Sequence, residues 1–300
     1  MPSARRTVRD RPPAAEAALG NSEFRLAGHM LGIVAVLTLS FLIELTVLGD
    51  LRHARDQIHL AAEFRGELAN AVAPVGSFDD ANIPLAAGTP VALLVIPRLN
   101  LREVVVEGTS SGTLMSGPGH RRDTPFPGQA GVSVIVGRRA TYGGPFGSLG
   151  QLRAGDRIMV TTGQGPNVFR VLGVRHAGNL LPPPLSSGHG RLTLVTADGP
   201  PLRPTDVLRV DADLTSATQD SGGRLPSLAL PASDVVMAGD RSALLSVVAW
   251  SMLLFAGALG PVWIRFRVGW WQAWVIGVPV LVALGLAVCD DIAAMLPNLL

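Results

Sequence analysis

The 300-residue chain is 48% hydrophobic and only 16% charged, too lopsided for a wholly soluble protein and matched to one medium domain with membrane segments. Its formal net charge of +2 is too small to imply a nucleic-acid partner, and every one of its 25 Lys-or-Arg positions is Arg. The single cysteine, Cys289, excludes an intramolecular disulfide. No zinc-type cysteine cluster, phosphate-binding loop or dinucleotide fingerprint occurs, so neither a metal nor a cofactor is expected.

Residues 1–25 carry Arg5, Arg6, Arg9, Arg11 and Arg25 and precede an apolar run over 26–48. Two more apolar runs cover 243–264 and 270–288. Each approaches the roughly 20 residues that a helix needs to cross a hydrocarbon core. Arg265 and Arg267 sit between the last two runs. With the N-terminal arginines inside, the expected topology is a multi-pass plasma-membrane protein with residues about 50–242 extracytoplasmic. A cleaved signal peptide is the other reading of the N-terminus, although no small-residue cleavage site clearly follows the run. Glu44 reads as an intramembrane functional carboxylate or as one reaching the interface. Trp270, Trp271 and Trp274 read as an interfacial belt.

The segment 50–89 opens with a polar helical pattern, in which Leu51, Ile58, Leu60, Ala61, Phe64 and Leu68 are spaced among charges. It reads as a juxtamembrane stalk helix that runs into a Gly-, Pro- and Ala-rich linker. Residues 90–214 are strand-rich, with short apolar runs at Val91–Ile96, Glu103–Glu107, Val132–Val136, Arg157–Thr161, Asn167–Val174, Arg191–Thr196 and Asp206–Ala212. Gly, Pro or Asp separates most of them, which predicts an all-β barrel or sandwich. The Ser-, Gly- and Pro-rich stretch 215–242 reads as a flexible tether.

Motifs within 90–214 follow one order: Val95-Ile96-Pro97-Arg98-Leu99-Asn100-Leu101, Val106-Glu107-Gly108-Thr109, Gly117-Pro118-Gly119-His120, then Thr124 and Pro127-Gly128. Val134-Ile135-Val136-Gly137-Arg138-Arg139, Tyr142-Gly143, Pro145-Phe146, Gly155-Asp156 and Leu192-Thr193-Leu194-Val195-Thr196 complete the series. The succession resembles the sortase family, particularly the class E-like sortases of actinobacteria. The resemblance implies an eight-stranded β-barrel, here flanked by three transmembrane helices. It also implies a cysteine transpeptidase mechanism: a thiolate attacks, a histidine moves protons, and an arginine stabilises the charge of the transition state.

The three family positions are occupied differently here. The histidine of a Gly-His-Arg element is replaced by Arg138, the cysteine that ends a Thr-Leu-x-Thr-Cys strand by Ala197, and the arginine opening the last strand by Val207. Arg209, two residues on and therefore on the same strand face, is a possible substitute arginine. Ala197 has no nucleophilic atom and a guanidinium does not act as a base, so a catalytically degenerate member is expected.

A Ser or Thr nucleophile would need a base within hydrogen-bond reach. Thr196, with Ser186 and Ser187, offers the hydroxyls, and His189 or His120 the base. His120 also belongs to an element that resembles a structural part of the family, and Asp198 reads as a turn residue before Gly199-Pro200. Arg138 and Arg139 either bind an anion at the groove or stand as a solvated pair at a strand end. Arg138, Arg139, Thr196, Asp198, His120 and His189 are thus the candidate ligand-binding residues.

Three functions stay open: a non-catalytic pseudo-sortase that binds a peptide or partner, a divergent hydrolase or transpeptidase with a Ser or Thr nucleophile, and a membrane scaffold with a passive ectodomain. The partners expected are the cell membrane and a sorting-signal peptide, an active sortase or another envelope protein.

Overall fold

The computed structural model describes residues 31, 41, 43–79, 81–200, 203–239, 243–267 and 270–300. Residues 1–25, and the expected first span apart from 31, 41 and 43–48, lie outside them, as do the side chains of Trp270, Trp271 and Trp274. Glu44–Leu300 form one compact unit.

A π-helical turn, Glu44–Leu48, leads into α1, Gly49–Ala69. The strands follow: β1 Pro90–Ile96, β2 Leu101–Glu107, then a single helical turn α2 Thr113–Ser116 and the two-residue β3 Gly119–His120. Next come β4 Gly131–Val136, β5 Arg157–Thr162, β6 Gly165–Arg175, β7 Gly190–Asp198 and β8 Asp206–Leu214. Two long helices close the chain, α3 Ala243–Arg267 and α4 Trp270–Met295.

The strands close a barrel in the order β1-β2-β3-β4-β7-β8-β6-β5. Two pairings, β2 with β3 and β4 with β7, are parallel and the others antiparallel. The expected all-β fold is thus a mixed eight-stranded barrel with flanking helices. Alternating apolar residues, among them Leu94, Ile96, Ile135, Ile158, Phe169, Leu192, Leu194 and Val210, point inward and fill it.

Helix α1 lies along the barrel wall. The Gln57 amide donates to Ser116 O at 2.8 Å and accepts from the Val104 N–H at 2.7 Å, so it completes hydrogen bonding on β2. His53 lies 3.1 Å from Glu103, and Phe64 is buried. The stretch expected to be a flexible tether is instead pinned to the barrel. Gln219 N–H donates to Gly128 O, Leu225 N–H to Arg122 O and the Thr109 hydroxyl to Asp234 O.

The first expected transmembrane helix lies largely outside the described residues, and among the described residues no helix is long and apolar enough to cross a membrane. The runs 243–264 and 270–288 fall within α3 and α4. The last turns of α4 face protein, because Asp290 pairs with Arg52 of α1 and Ala293 O accepts from Ser111.

Candidate functional site

The ends of β4 and β7 and the start of β8 meet on one side of the barrel. Ala197 pairs directly with Val207, Thr196 with Leu208 and Val195 with Arg209. Gly137 N–H continues the β4–β7 ladder to Val195 O at 2.9 Å. The ladder comes this close to Phe146 only because residue 137 lacks a side chain: a Cβ there would lie 2.5 Å from the Phe146 ring.

Arg138 leaves the end of this strand and turns inward. It is fully buried, so it is not the solvated residue that its sequence position allowed. Its Nη2 donates to Ser111 O and Ser111 Oγ, both at 2.8 Å, and its Nη1 to Thr141 Oγ1 at 3.0 Å. The guanidinium carbon lies 5.1 Å from the centroid of Tyr142, a cation–π distance. Among the described residues no side-chain carboxylate pairs with it. Burial therefore pulls the guanidinium down to about 10, with the Tyr142 ring opposing the shift. The same burial pushes the Tyr142 hydroxyl up to about 12.

Arg139 points the other way. Its Nη1 donates to Ala197 O at 2.8 Å and reaches Asp198 Oδ1 at 3.4 Å. The other Asp198 oxygen takes a hydrogen bond from His176 Nδ1, and that bond holds the Asp198 carboxyl below its ordinary range. Asp198 is thus more than a turn residue, since it joins β7 to the end of β6 and to Arg139.

The remaining candidates divide. Thr196 is buried with Ala197, and its hydroxyl donates to Gly137 O at 2.9 Å. His189 precedes β7 at its opposite end, roughly 25 Å along the strand from Ala197 at 3.3 Å per residue. Its sequence proximity to Thr196 therefore gives no Thr–His pair. His120 is buried in β3, with Nδ1 2.8 Å from Glu107 and Nε2 3.1 Å from Pro125 O and 3.2 Å from Thr124 Oγ1. Arg209, one pair along the face that carries Val207, is half-buried.

Sequence reading missed the residues that close the site. Pro297 follows the end of α4, and Leu300 N–H bonds back to Pro297 O at 3.0 Å to form a turn. Leu299 is fully buried in an apolar cluster with Leu114, Val136, Val195, Ala197 and Val207. Arg139 N–H donates to Leu299 O at 3.0 Å, and the Thr141 hydroxyl donates to Leu300 O at 2.7 Å. Asn298, also fully buried, donates from Nδ2 to Thr109 O at 2.7 Å and to Val235 O at 3.0 Å, while its Oδ1 accepts from Met237 N–H at 2.9 Å. The run Leu296-Pro297-Asn298-Leu299-Leu300 gave a helix stop at Pro297 as its only sequence signal.

Chemically, the site offers buried methyl groups and a charged guanidinium that is bonded through both terminal nitrogens while its buried Nε has no partner among the described residues. The one thiol, Cys289, lies on α4 next to Asp290. Among the described residues no group of three or more His, Cys, Asp or Glu side chains could hold a metal ion.

Comparison with known proteins agrees with the barrel. Residues 94–213 match the sortase domain model. The chain is 31% identical over 85 residues to sortase D of Bacillus subtilis (strain 168), covering 28% of this chain and 41% of that protein. It is 29% identical over 178 residues to sortase SrtE1 of Streptomyces coelicolor (strain ATCC BAA-471 / A3(2) / M145), covering 57% and 47%. It thus spans less than half the length of either curated relative. The solved structure of sortase E from Streptomyces avermitilis is 30% identical, with 44% of this chain and 91% of that chain covered at a TM-score of 0.38. Residues 94–213, the barrel, are thus a sortase-family domain.

Proposed function

We propose that the protein is a non-catalytic sortase-family member, held at a cell membrane, whose groove binds a peptide or an envelope protein without cleaving it. The observation that carries this reading is the trio at the strand ends. Arg138, Ala197 and Val207 stand where the resemblance expects the histidine, cysteine and arginine, and Arg138 is locked by Ser111 and Thr141 rather than free to move protons. Membrane attachment is supported by the apolar runs at 26–48, 243–264 and 270–288 and by the arginines that flank them.

One arrangement favours a hydrolase instead. Thr124, His120 and Glu107 line up as nucleophile, base and orienting carboxylate. Two features weigh against it. His120 Nε2 also lies 3.1 Å from Pro125 O, closer than the 3.2 Å to Thr124 Oγ1, so the backbone carbonyl competes for it. The Thr124 hydroxyl donates to Arg121 O at 2.7 Å.

The test uses the full chain in detergent micelles with fluorescent sorting-signal peptides. Binding by anisotropy without cleavage by mass spectrometry is the expected result. Turnover by the unmodified chain that disappears in Thr124→Val or Thr196→Val would overturn it, and absence of binding to any peptide or envelope protein would favour the scaffold reading.

A further inference from the structure

The groove of a peptide-binding barrel should present open apolar surface, and here that surface is covered by the chain itself. Leu299 sits on Ala197 and Val207, the pair at the centre of the site. The segment 297–300 is held by hydrogen bonds from chemically distinct places. The Arg139 backbone and the Thr141 hydroxyl hold its carbonyls, and Thr109, Val235 and Met237 surround the Asn298 amide. All three hydrogen-bonding directions used by Asn298 Nδ2 and Oδ1 end on backbone groups, an arrangement that reads an amide side chain by shape and polarity. Arg138 joins the same network, since the Thr141 hydroxyl that accepts from Arg138 donates to Leu300 O.

We propose that the segment 297–300 is an intramolecular ligand of the groove, and that an outside partner binds by displacing it with a peptide of the same chemistry, an Asn followed by two large aliphatic residues. This rests on the peptide-binding reading above and adds its ligand class and its regulation. Nothing about the barrel needs the segment for closure, because the eight strands pair all round without it. The interactions of residues 298–300 with the barrel are noncovalent and lie beyond the last turn of α4, where Pro297 ends the helix. Release would expose the methyl groups of Ala197, Val207, Val136 and Val195 and free the Arg139 N–H, which together form the apolar floor and the first backbone donor for an incoming peptide.

The experiment places a thiol under the segment. Ala197→Cys is made in the full chain on a Cys289→Ser background, and its labelling by a water-soluble thiol reagent is timed. Ala197 is completely covered, so labelling is expected to be slow and to accelerate on the order of tenfold to a hundredfold when Leu299→Asp breaks the apolar seat. Asn298→Ala, which keeps Leu299, serves as the second opening variant if Leu299→Asp does not fold. Adding a synthetic Pro-Asn-Leu-Leu peptide to the opened protein is expected to slow labelling again, and a Pro-Asp-Asp-Asp peptide is not. Equal labelling with and without the intact segment overturns the inference. Opening without protection by the added peptide also overturns it, and marks the segment as fixed core. Either failure leaves the peptide-binding reading to its own test. If the opened protein also binds no sorting-signal peptide, that reading fails as well.

Discussion

Replacing Arg138 with Met tests whether the guanidinium is a buried charge held without a counter-ion. A fall to about 10 from the ordinary guanidinium value corresponds to about 3 kcal/mol of destabilisation carried by the charged form. Arg138→Met removes that penalty and keeps most of the side-chain volume. Against this, three acceptors lose a donor. Thr141 Oγ1 and Ser111 Oγ still donate elsewhere, to Leu300 O and Ala293 O, so the Ser111 carbonyl bears the main loss, about 1–3 kcal/mol. The two effects nearly cancel, and Arg138→Met should change stability by no more than about 2 kcal/mol. Arg138→Ala should cost about 3 kcal/mol or more, because it adds a cavity beside Tyr142. Urea unfolding of the full chain, followed by far-ultraviolet circular dichroism, measures both. The folded pKa lies below the unfolded one, so the native state binds fewer protons above about pH 10. The Met–Arg difference should therefore be flat from pH 6 to pH 9 and turn in favour of Arg as the pH rises past about 10. A Met variant as unstable as the Ala variant would refute the reasoning, because it would mean that Arg138 is held by a counter-charge.

Three other outcomes follow from the packing. His53 is raised above its ordinary value, with burial opposing the shift and the Glu103 carboxylate outweighing it. Its stabilising pair is therefore complete below about pH 6.5 and is lost as pH rises through the raised value, a slope that His53→Gln should abolish in unfolding curves between pH 5 and pH 8.5. Gly137→Ala drives a methyl group into the Phe146 ring, and a cost of about 1–3 kcal/mol should appear as a lower Tm by calorimetry. Glu107→Ala removes the hydrogen-bond partner of the buried His120 Nδ1 and should cost about 1–3 kcal/mol in urea unfolding, whereas an unchanged midpoint would show that the pair is dispensable.

The sequence alone determined the strand pattern, because apolar alternation broken by Gly, Pro and Asp is a local property. Seven of the eight strands lie on its apolar runs. The eighth, β3, has only two residues, and two residues carry no alternation to read. That Ala197 and Arg138 stand where the family resemblance expects a cysteine and a histidine is likewise a reading of motif order alone. What those residues do was decided only by tertiary structure. An arginine at a strand end looks solvated in one dimension. It is buried here because Ser111, Thr141 and Tyr142 converge on it from separate loops. Thr196 and His189 are close in the sequence yet lie at opposite ends of β7, since an extended strand carries its ends far apart. Leu299 and Ala197 are remote in the sequence yet touch, because α4 carries the segment 297–300 back to the barrel, where covering apolar methyl groups lowers the free energy.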